Sequence, residues 1–372
     1  MLHYFLTPLA DTFGPLNVFV YITFRAAGAA ATAILLTFIV GPPIIEKLRS
    51  MNVGQVIRAD GPTSHQSKRG TPTMGGLIIL VCTVIPTLLW ARLDNGYVIV
   101  ALVAILWMGA IGFVDDYLKI VQGKSRGLVA RYKLIGQLTF GVILGYYLWR
   151  FPLSLDVPSD AITVPFFQVL VPLTPVFYVL FVALVTTGSS NAVNLTDGLD
   201  GLAAGLSVIA AGTFAIFAYV TGRVDTSEYL KIFYLENSGE LTIFCASFMG
   251  AALGFLWYNA HPAQVFMGDT GSLAIGGALG TVAILLKSEF LLLIVGGVFV
   301  AEAGSVILQT GVFKYRKWKY GLDHAREHRL FRMAPLHHHF EQAGWPEPLI
   351  VSRFYILGIL CALLALATLK IR

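Results

Sequence analysis

The chain has 372 residues, of which 56% are hydrophobic and 13% carry a charged Asp, Glu, Lys or Arg side chain. Mean hydropathy is +0.73, whereas a soluble domain would be about a quarter charged. Composition therefore excludes a soluble globular domain and points to a polytopic membrane protein. The net charge of +5 informs through its distribution and gives no ground for a nucleic-acid partner.

A membrane-spanning helix needs about 20 apolar residues. Ten segments qualify in chain order: 19–40, 73–91, 97–117, 132–149, 172–189, 199–221, 240–259, 271–287, 289–312 and 351–369. The expected fold is all-α, a single integral membrane domain over 1–372 with no repeat and no linker. Leu2 to Leu9 is too short for a cleavable signal peptide, so the first span is expected to act as its own insertion signal. The outward segment 150–171 holds Pro152, Pro158 and Pro165 among Ile162, Thr163, Val164, Phe166 and Phe167, which fits extended structure and a small β-hairpin. The segment 222–239 is mildly acidic and uninformative. Gly201-xxx-Gly205 and the run Gly276, Gly277, Gly280 predict close helix contacts. Cys82, Cys245 and Cys361 are odd in number and lie in apolar runs, so neither a disulfide framework nor a zinc site is expected.

Ten spans put alternate loops on one side. The loops at 41–71, 115–133 and 313–353 contain 18 of the 26 Lys and Arg residues. Positive loops mark the cytoplasmic side. Both termini are then expected to face outward, and the polar loops inward.

Those inward loops carry the chemistry. Asp115, Asp116, Asp197, Asp200 and Asp269 lie at or next to the ends of apolar segments. Carboxylates near lipid are costly and usually functional. Asp115 and Lys119 are four apart and share a helical face, with Asp116 about 100° away. Adjacent carboxylates repel, so at least one needs a cation or proton. A hard divalent ion bridging to a phosphate would satisfy them; a solvated helix end balanced by Lys119 and Lys124 is the bland reading.

Asn191, Asn194, Asp197 and Asp200 recur at every third position and could read a base, ribose or sugar, or else form a capped helix start. Asn259-Ala-His261-Pro262 leads to Phe266-Met-Gly268-Asp269-Thr270-Gly271-Ser272. A glycine-rich helix start offers backbone N–H groups to phosphate; Asp269 could hold Mg²⁺ there or act as an N-cap. His337-His338-His339 cannot all point one way and lack zinc-site spacing, so phosphate contact or proton handling fits better. Lys68-Arg69-Gly-Thr-Pro-Thr73-Met-Gly-Gly suits an anionic substrate, or topology charge before a helix. Lys314-Tyr-Arg316-Lys317-Trp318-Lys319-Tyr320 suits an anionic headgroup interface or simple anchoring. There is no Walker loop and no Gly-x-Ser-x-Gly.

Together these stretches resemble the phospho-N-acetylmuramoyl-pentapeptide transferase family, within the polyprenyl-phosphate N-acetylhexosamine-1-phosphate transferase superfamily. The matching pieces are 68–76, 113–119, 191–202, 265–272, 332–341 and 344–348, and the last loop is the discriminating one. The resemblance implies transfer of phospho-N-acetylmuramoyl-pentapeptide from its UDP carrier to undecaprenyl phosphate, giving lipid I and UMP, with Mg²⁺ required. It also implies ten helices, a bacterial inner-membrane location, a cytoplasmic active site, a homodimer and sensitivity to uridine-mimicking nucleoside inhibitors.

For that reaction we assign Asp269 as the expected principal metal ligand. Asp115 is expected to deprotonate or orient the lipid phosphate, and Asp116 to support the metal or the attacking group. Lys68 and Lys119 would neutralise phosphate. By the family's pattern, Asn194, Asp197, Gly198, Leu199, Asp200, Asn259 and Phe266 build the uridine pocket, Phe266 by stacking on the base. His337 and His338 contact the diphosphate or sugar. Thr73, Asn191, Gln309 and His339 complete the expected substrate contacts. A sister enzyme moving GlcNAc-1-phosphate and a lipid or solute transporter are the competing readings. Transporters place charges near the midplane, often within repeated halves.

Overall fold

A computed structural model describes residues 1–51, 70–122, 127–164 and 169–370. In chain order the helices are α1 (Leu2–Leu6), α2 (Ile22–Ser50), α3 (Gly76–Trp90), α4 (Gly96–Gln122), α5 (Ala130–Arg150), α6 (Pro175–Thr196), α7 (Leu202–Thr221), α8 (Val224–Leu230), α9 (Leu241–Asn259), α10 (Gly268–Leu285), α11 (Glu289–Val295), α12 (Gly297–Tyr320), α13 (Leu322–Glu327), α14 (Leu336–Gln342) and α15 (Glu347–Ala367). Among the described residues, seven helices are long and apolar enough to cross a membrane, or eight counting the bent pair α11–α12 as one span. The protein is a mostly helical, polytopic membrane protein.

Each of the ten apolar segments coincides with a helix or helix pair. The 15-residue α3 is short for a span. The first segment runs on to Ser50, through Pro42 and Pro43. Membrane helices tolerate such prolines where neighbours re-satisfy the freed carbonyls. The ninth segment is not one straight helix: it breaks at Gly296–Gly297 and bends by 87°. Two adjacent glycines are poor helix formers and supply the hinge. Stretches read as loops contain helix, including α13 and α14 in the last inward loop. The segment 222–239 holds α8, and the basic, aromatic stretch 314–320 is the end of α12.

The expected extended segment forms a strand pair, while Pro165, Phe166 and Phe167 lie outside the described residues. β1 (Ala161–Thr163) pairs antiparallel with β2 (Leu170–Pro172), Ile162 opposite Val171. Lys287, in the α10–α11 turn, holds it by donating to the carbonyls of Ser159 (2.6 Å) and Ala161 (2.9 Å). All three cysteines are free.

The centre of the fold is α10, buried at every residue from Thr270 to Leu285. It packs against α4, α6 and α3. Hydrophobic exclusion does not drive helices together in lipid, so close packing and polar contacts must do so. Small residues supply the first: Gly276 and Gly277 meet α6 and α4 with no room for a methyl group. Buried polar pairs supply the second. Ser190 Oγ donates to the carbonyl of Leu273, and Gln137 donates to Ser190.

At the opposite end from the aspartates, Arg25 of α2 grips Glu240 through two hydrogen bonds of 2.8 and 2.6 Å. Glu240 also accepts the backbone N–H of Arg92. Both side chains are buried. Removing one partner of a buried pair strands a charge, at a cost of about 3–5 kcal/mol. Arg25→Met should therefore lower the unfolding midpoint in detergent strongly, and Arg25→Met with Glu240→Met should recover part of the loss. A single variant as stable as the wild type would show that the pair contributes nothing.

Candidate active site

The site begins with an unusual helix cap. The first N–H groups of any helix lack intrahelical partners. Those of α10 are met by a carboxylate from another helix. Asp116, at the end of α4, accepts from the backbone N–H of Asp269 (3.2 Å) and Thr270 (2.9 Å) and from the Thr270 hydroxyl (2.8 Å). Its negative charge also faces the positive end of the α10 dipole. Two glycines make this approach feasible. A Cβ on Gly112, one turn before Asp116, would lie 2.1 Å from the carbonyl oxygen of Asp269. Gly268 has φ +72°, and a Cβ there would meet Asp116 and Thr73.

With the cap supplied from outside, the Asp269 side chain is free for other contacts. Its Oδ1 accepts from Asn194 (2.7 Å), which also bonds Ser272 (2.8 Å). Its Oδ2 accepts from Lys119 (3.0 Å) and Lys133 (2.9 Å). Lys119 Nζ also lies 2.5 Å from Asp115 and 3.4 Å from Asp116. Asp115 Oδ1 accepts the backbone N–H of Leu128 (2.8 Å), while its buried Oδ2 has no aligned hydrogen bond. Three carboxylates and two ammonium groups thus meet at the joint of α4, α5, α6 and α10.

A second group borders the first. Asp200 Oδ2 accepts from His261 Nδ1 (3.1 Å) and from the Ala263 N–H (3.2 Å). Glu347 accepts the Asp200 N–H (2.6 Å). Asn259 accepts from Gly201 N–H (3.1 Å) and donates to the Val265 carbonyl (2.9 Å). Phe266 pairs through its backbone with Pro72 and Gly75, bringing the Thr73 segment alongside. Asp197 joins the two groups. Its desolvation, then the nearby Asp269, Asp116 and Asp200 carboxylates, push its pKa up to about 8.

The structure therefore gathers Asp115, Asp116, Lys119, Asn194, Asp197 and Asp269, with Thr73 at the edge. Gly198 and the buried Leu199 lie between the two groups along the chain. Other expected contacts are spent on the scaffold. Asn191 bonds Gln137 (2.8 Å) and the Thr187 carbonyl. Gln309 exchanges two hydrogen bonds with the Phe331 backbone. His338 lies 2.6 Å from Glu341, and His339 accepts from the Arg332 N–H. His337 is fully buried. Lys68 lies outside the described residues.

Lys133 and Glu302 were not legible as site residues, and His261, Thr270, Ser272 and Glu347 were legible only as members of longer motifs. Lys133 reads as a topology charge, although Gln137 one turn later marks a polar face on an apolar helix. Glu302 has a clearer signal, as an acid inside the ninth apolar segment.

Acidic helix ends and lysines gathered in this way suit a membrane-embedded transferase of phosphorylated sugars, whose substrates need their charge neutralised. The sequence matches the model of glycosyl transferase family 4 over residues 98–287. The first signature of phospho-N-acetylmuramoyl-pentapeptide-transferase matches residues 68–80. Proteins of that name align with the whole chain and over their own whole length. The one from Gemmatimonas aurantiaca is 58% identical, that from Desulfatibacillum aliphaticivorans 53%, and that from a Geobacter species 51%. The chain belongs to the phospho-N-acetylmuramoyl-pentapeptide-transferase family.

Two outcomes test the geometry. Gly112→Ala should force α4 from α10. Because a displacement of ~1 Å can cost about 10²-fold, product formation should fall on that scale. Gly188→Ala, where a methyl group meets nothing within 4 Å, should leave turnover unchanged. Equal rates for the two variants would refute the tight-approach account.

The second outcome concerns pH. A carboxyl whose folded pKa is raised binds its proton more tightly in the native state. Its contribution to stability is complete below the ordinary carboxylate value and is lost as pH rises toward about 8. In EDTA, the wild-type unfolding midpoint should decline between pH 5 and 8. In Asp197→Asn that component of the decline should vanish. Parallel curves for the two proteins would mean that Asp197 is not held neutral.

Proposed function

We propose that the protein transfers phospho-N-acetylmuramoyl-pentapeptide from its UDP carrier to undecaprenyl phosphate, forming lipid I and releasing UMP. The full-length similarity to transferases of that name supports this reading. The observation that carries the chemistry is the meeting of Asp115, Asp116 and Asp269 with Lys119 and Lys133.

A lipid phosphate oxygen attacks the β-phosphorus of the donor. The bond from that phosphorus to the bridging oxygen breaks, and UMP departs with the electron pair. Both reactants are anions, so the protein's work is to position them and neutralise charge. Lys119 and Lys133 do the second. Asp115, whose Oδ2 lies 2.5 Å from Lys119 Nζ, orients the lipid phosphate. The segment from Asn194 to Asp200, with Asn259 and Phe266, receives the uridine. Lys68 serves phosphate, and His337 supports the diphosphate end.

The donor set also fits Mg²⁺. Asp115, Asp116 and Asp269 each offer an oxygen within 4.8 Å of the others. Octahedral Mg²⁺ has ligand separations of ~2.9 Å along an edge and ~4.1 Å across. Small side-chain rotations bring the three into that range, and the all-oxygen set suits a hard ion. Bound there, the ion would neutralise charge developing on the diphosphate.

The remaining features complete the reading. The chain crosses the bacterial inner membrane ten times, with both termini outside and the site at the cytoplasmic surface. The bias of 18 of 26 positive residues to three loops supports that orientation. The enzyme works as a homodimer and is inhibited by uridine-mimicking nucleosides.

The test is UMP release from UDP-MurNAc-pentapeptide plus undecaprenyl phosphate. Wild type should require Mg²⁺ and reject UDP-GlcNAc. Asp269→Asn should lose at least ~10²-fold in turnover, the scale of removing a group that stabilises transition-state charge. Equal release without Mg²⁺, or preference for UDP-GlcNAc, would overturn the assignment.

A further inference from the structure

The imidazole of His337 is in an unusual position. It is fully buried, yet neither ring nitrogen has an aligned hydrogen-bond partner. A buried polar atom left unmatched is costly and needs a reason. On one side is Glu302, also fully buried, on α12 just past the 87° break. The Glu302 carboxylate contacts His337 twice. Oε1 accepts the His337 backbone N–H (3.1 Å), and Oε2 lies 3.2 Å from Nδ1. On the other side is Gly198, inside the Asp197–Asp200 segment. A Cβ there would lie 2.2 Å from His337 Nε2. The free nitrogen thus abuts the backbone of the segment read above as the nucleotide site.

We infer that Glu302 is the positioning residue for His337. One carboxylate holds both the backbone and the ring of that histidine, so that Nδ1 carries a hydrogen toward Glu302 and Nε2 is presented to the Gly198 segment. This deepens the proposed transferase reading and rests on it. The partner of an imidazole decides which nitrogen bears the proton. An ionised carboxylate beside Nδ1 can only accept, so it requires a hydrogen on that nitrogen whether the ring is neutral or charged. The substrate class expected beyond this segment is the diphosphate of a nucleotide sugar, because Gly198 follows Asp197, whose carboxyl feels the charge of Asp269.

The position of Glu302 also gives the break in the ninth span a purpose. Were α11 and α12 one straight helix, residues after Gly297 would continue along the α11 axis. The bend turns α12 so that Glu302 meets α14, which carries His337.

Glu302→Gln is the decisive variant. Its amide carbonyl still accepts the backbone N–H, but its NH₂ group faces Nδ1. Nδ1 must then accept, and the hydrogen moves to Nε2. Protein with ¹⁵N-labelled histidine should report the Nδ1–H form of His337 in wild type, assigned by the resonances lost in His337→Asn. Glu302→Gln should report the Nε2–H form. UMP release should fall about 10²-fold in kcat, with KM for the UDP donor changed less than threefold and the unfolding midpoint nearly unchanged. Glu302→Asp, which keeps an acceptor, should regain part of the activity and the wild-type tautomer. The inference is overturned if wild-type His337 carries its hydrogen on Nε2 alone, or if Glu302→Gln retains wild-type kcat. It is also overturned if Glu302→Asp and Glu302→Gln lose activity equally, in step with lost stability. The nuclear resonance result does not depend on the reaction. A wild-type protein with the Nδ1–H form and no UMP release would leave the positioning intact and sink the transferase reading instead.

Discussion

The arrangement rests on one carboxylate used as a cap for a helix it does not belong to. Asp116 satisfies the N–H groups of Asp269 and Thr270 and the Thr270 hydroxyl at once. In lipid an unsatisfied backbone group costs several kcal/mol, so the start of α10 is stable only where α4 ends beside it. That constraint sets the relative height of the two helices. It also requires glycine at 112, where the backbones touch. Because the cap comes from α4, the aspartate at the start of α10 has no capping duty, and its carboxylate turns into the cluster.

The charges follow from that placement. Three aspartates brought together at a helix joint would repel one another strongly. Lys119, one turn along α4, reaches all three, and Lys133 of α5 reaches Asp269. The cluster keeps a residual charge of about minus one if every group is ionised, which invites a divalent cation more than an anion. When phosphates enter with such an ion, the lysines can turn their other ammonium hydrogens to phosphate oxygens while keeping their contacts with Asp269. The same two ammonium groups thus balance the aspartates and equip the site for a heavily charged reaction.

Much of this was legible in the sequence because the membrane penalises charge. Asp115, Asp116 and Asp269 stand out as acids at the ends of apolar runs, and each lies in the cluster. The hairpin was legible from its prolines and β-branched residues. The origin of the α10 cap was not. Capping rules look one to four residues along the chain, whereas Asp116 lies more than 150 residues from the helix it caps. Lys133 was hidden by the positive-inside rule, which explains any lysine near the cytoplasmic end of a span and so distinguishes none. Asn191 misled for the opposite reason. It keeps the three-residue rhythm of Asn194 and Asp197, but three steps of 100° do not close a turn, and the drift takes Asn191 round to Gln137. The break at Gly296 was obscured because hydropathy measures apolarity and is blind to direction.

The contacts of Asp269 bear on how the transfer proceeds. A covalent route would make its carboxylate the nucleophile. Its Oδ1 already accepts from Asn194, and its Oδ2 accepts from two ammonium groups. An oxygen whose lone pairs are engaged by cations is a weak nucleophile. Freeing it would mean withdrawing Lys119 and Lys133 from the one place where the arriving phosphates need them. Direct attack by the lipid phosphate makes no such demand. The acceptor brings its own nucleophilic oxygen, the lysines stay between the two anions, and Asp269 keeps the contacts that orient it. The geometry of the cluster thus favours a single displacement, in which the aspartates arrange charge around a phosphorus that passes from one substrate to the other.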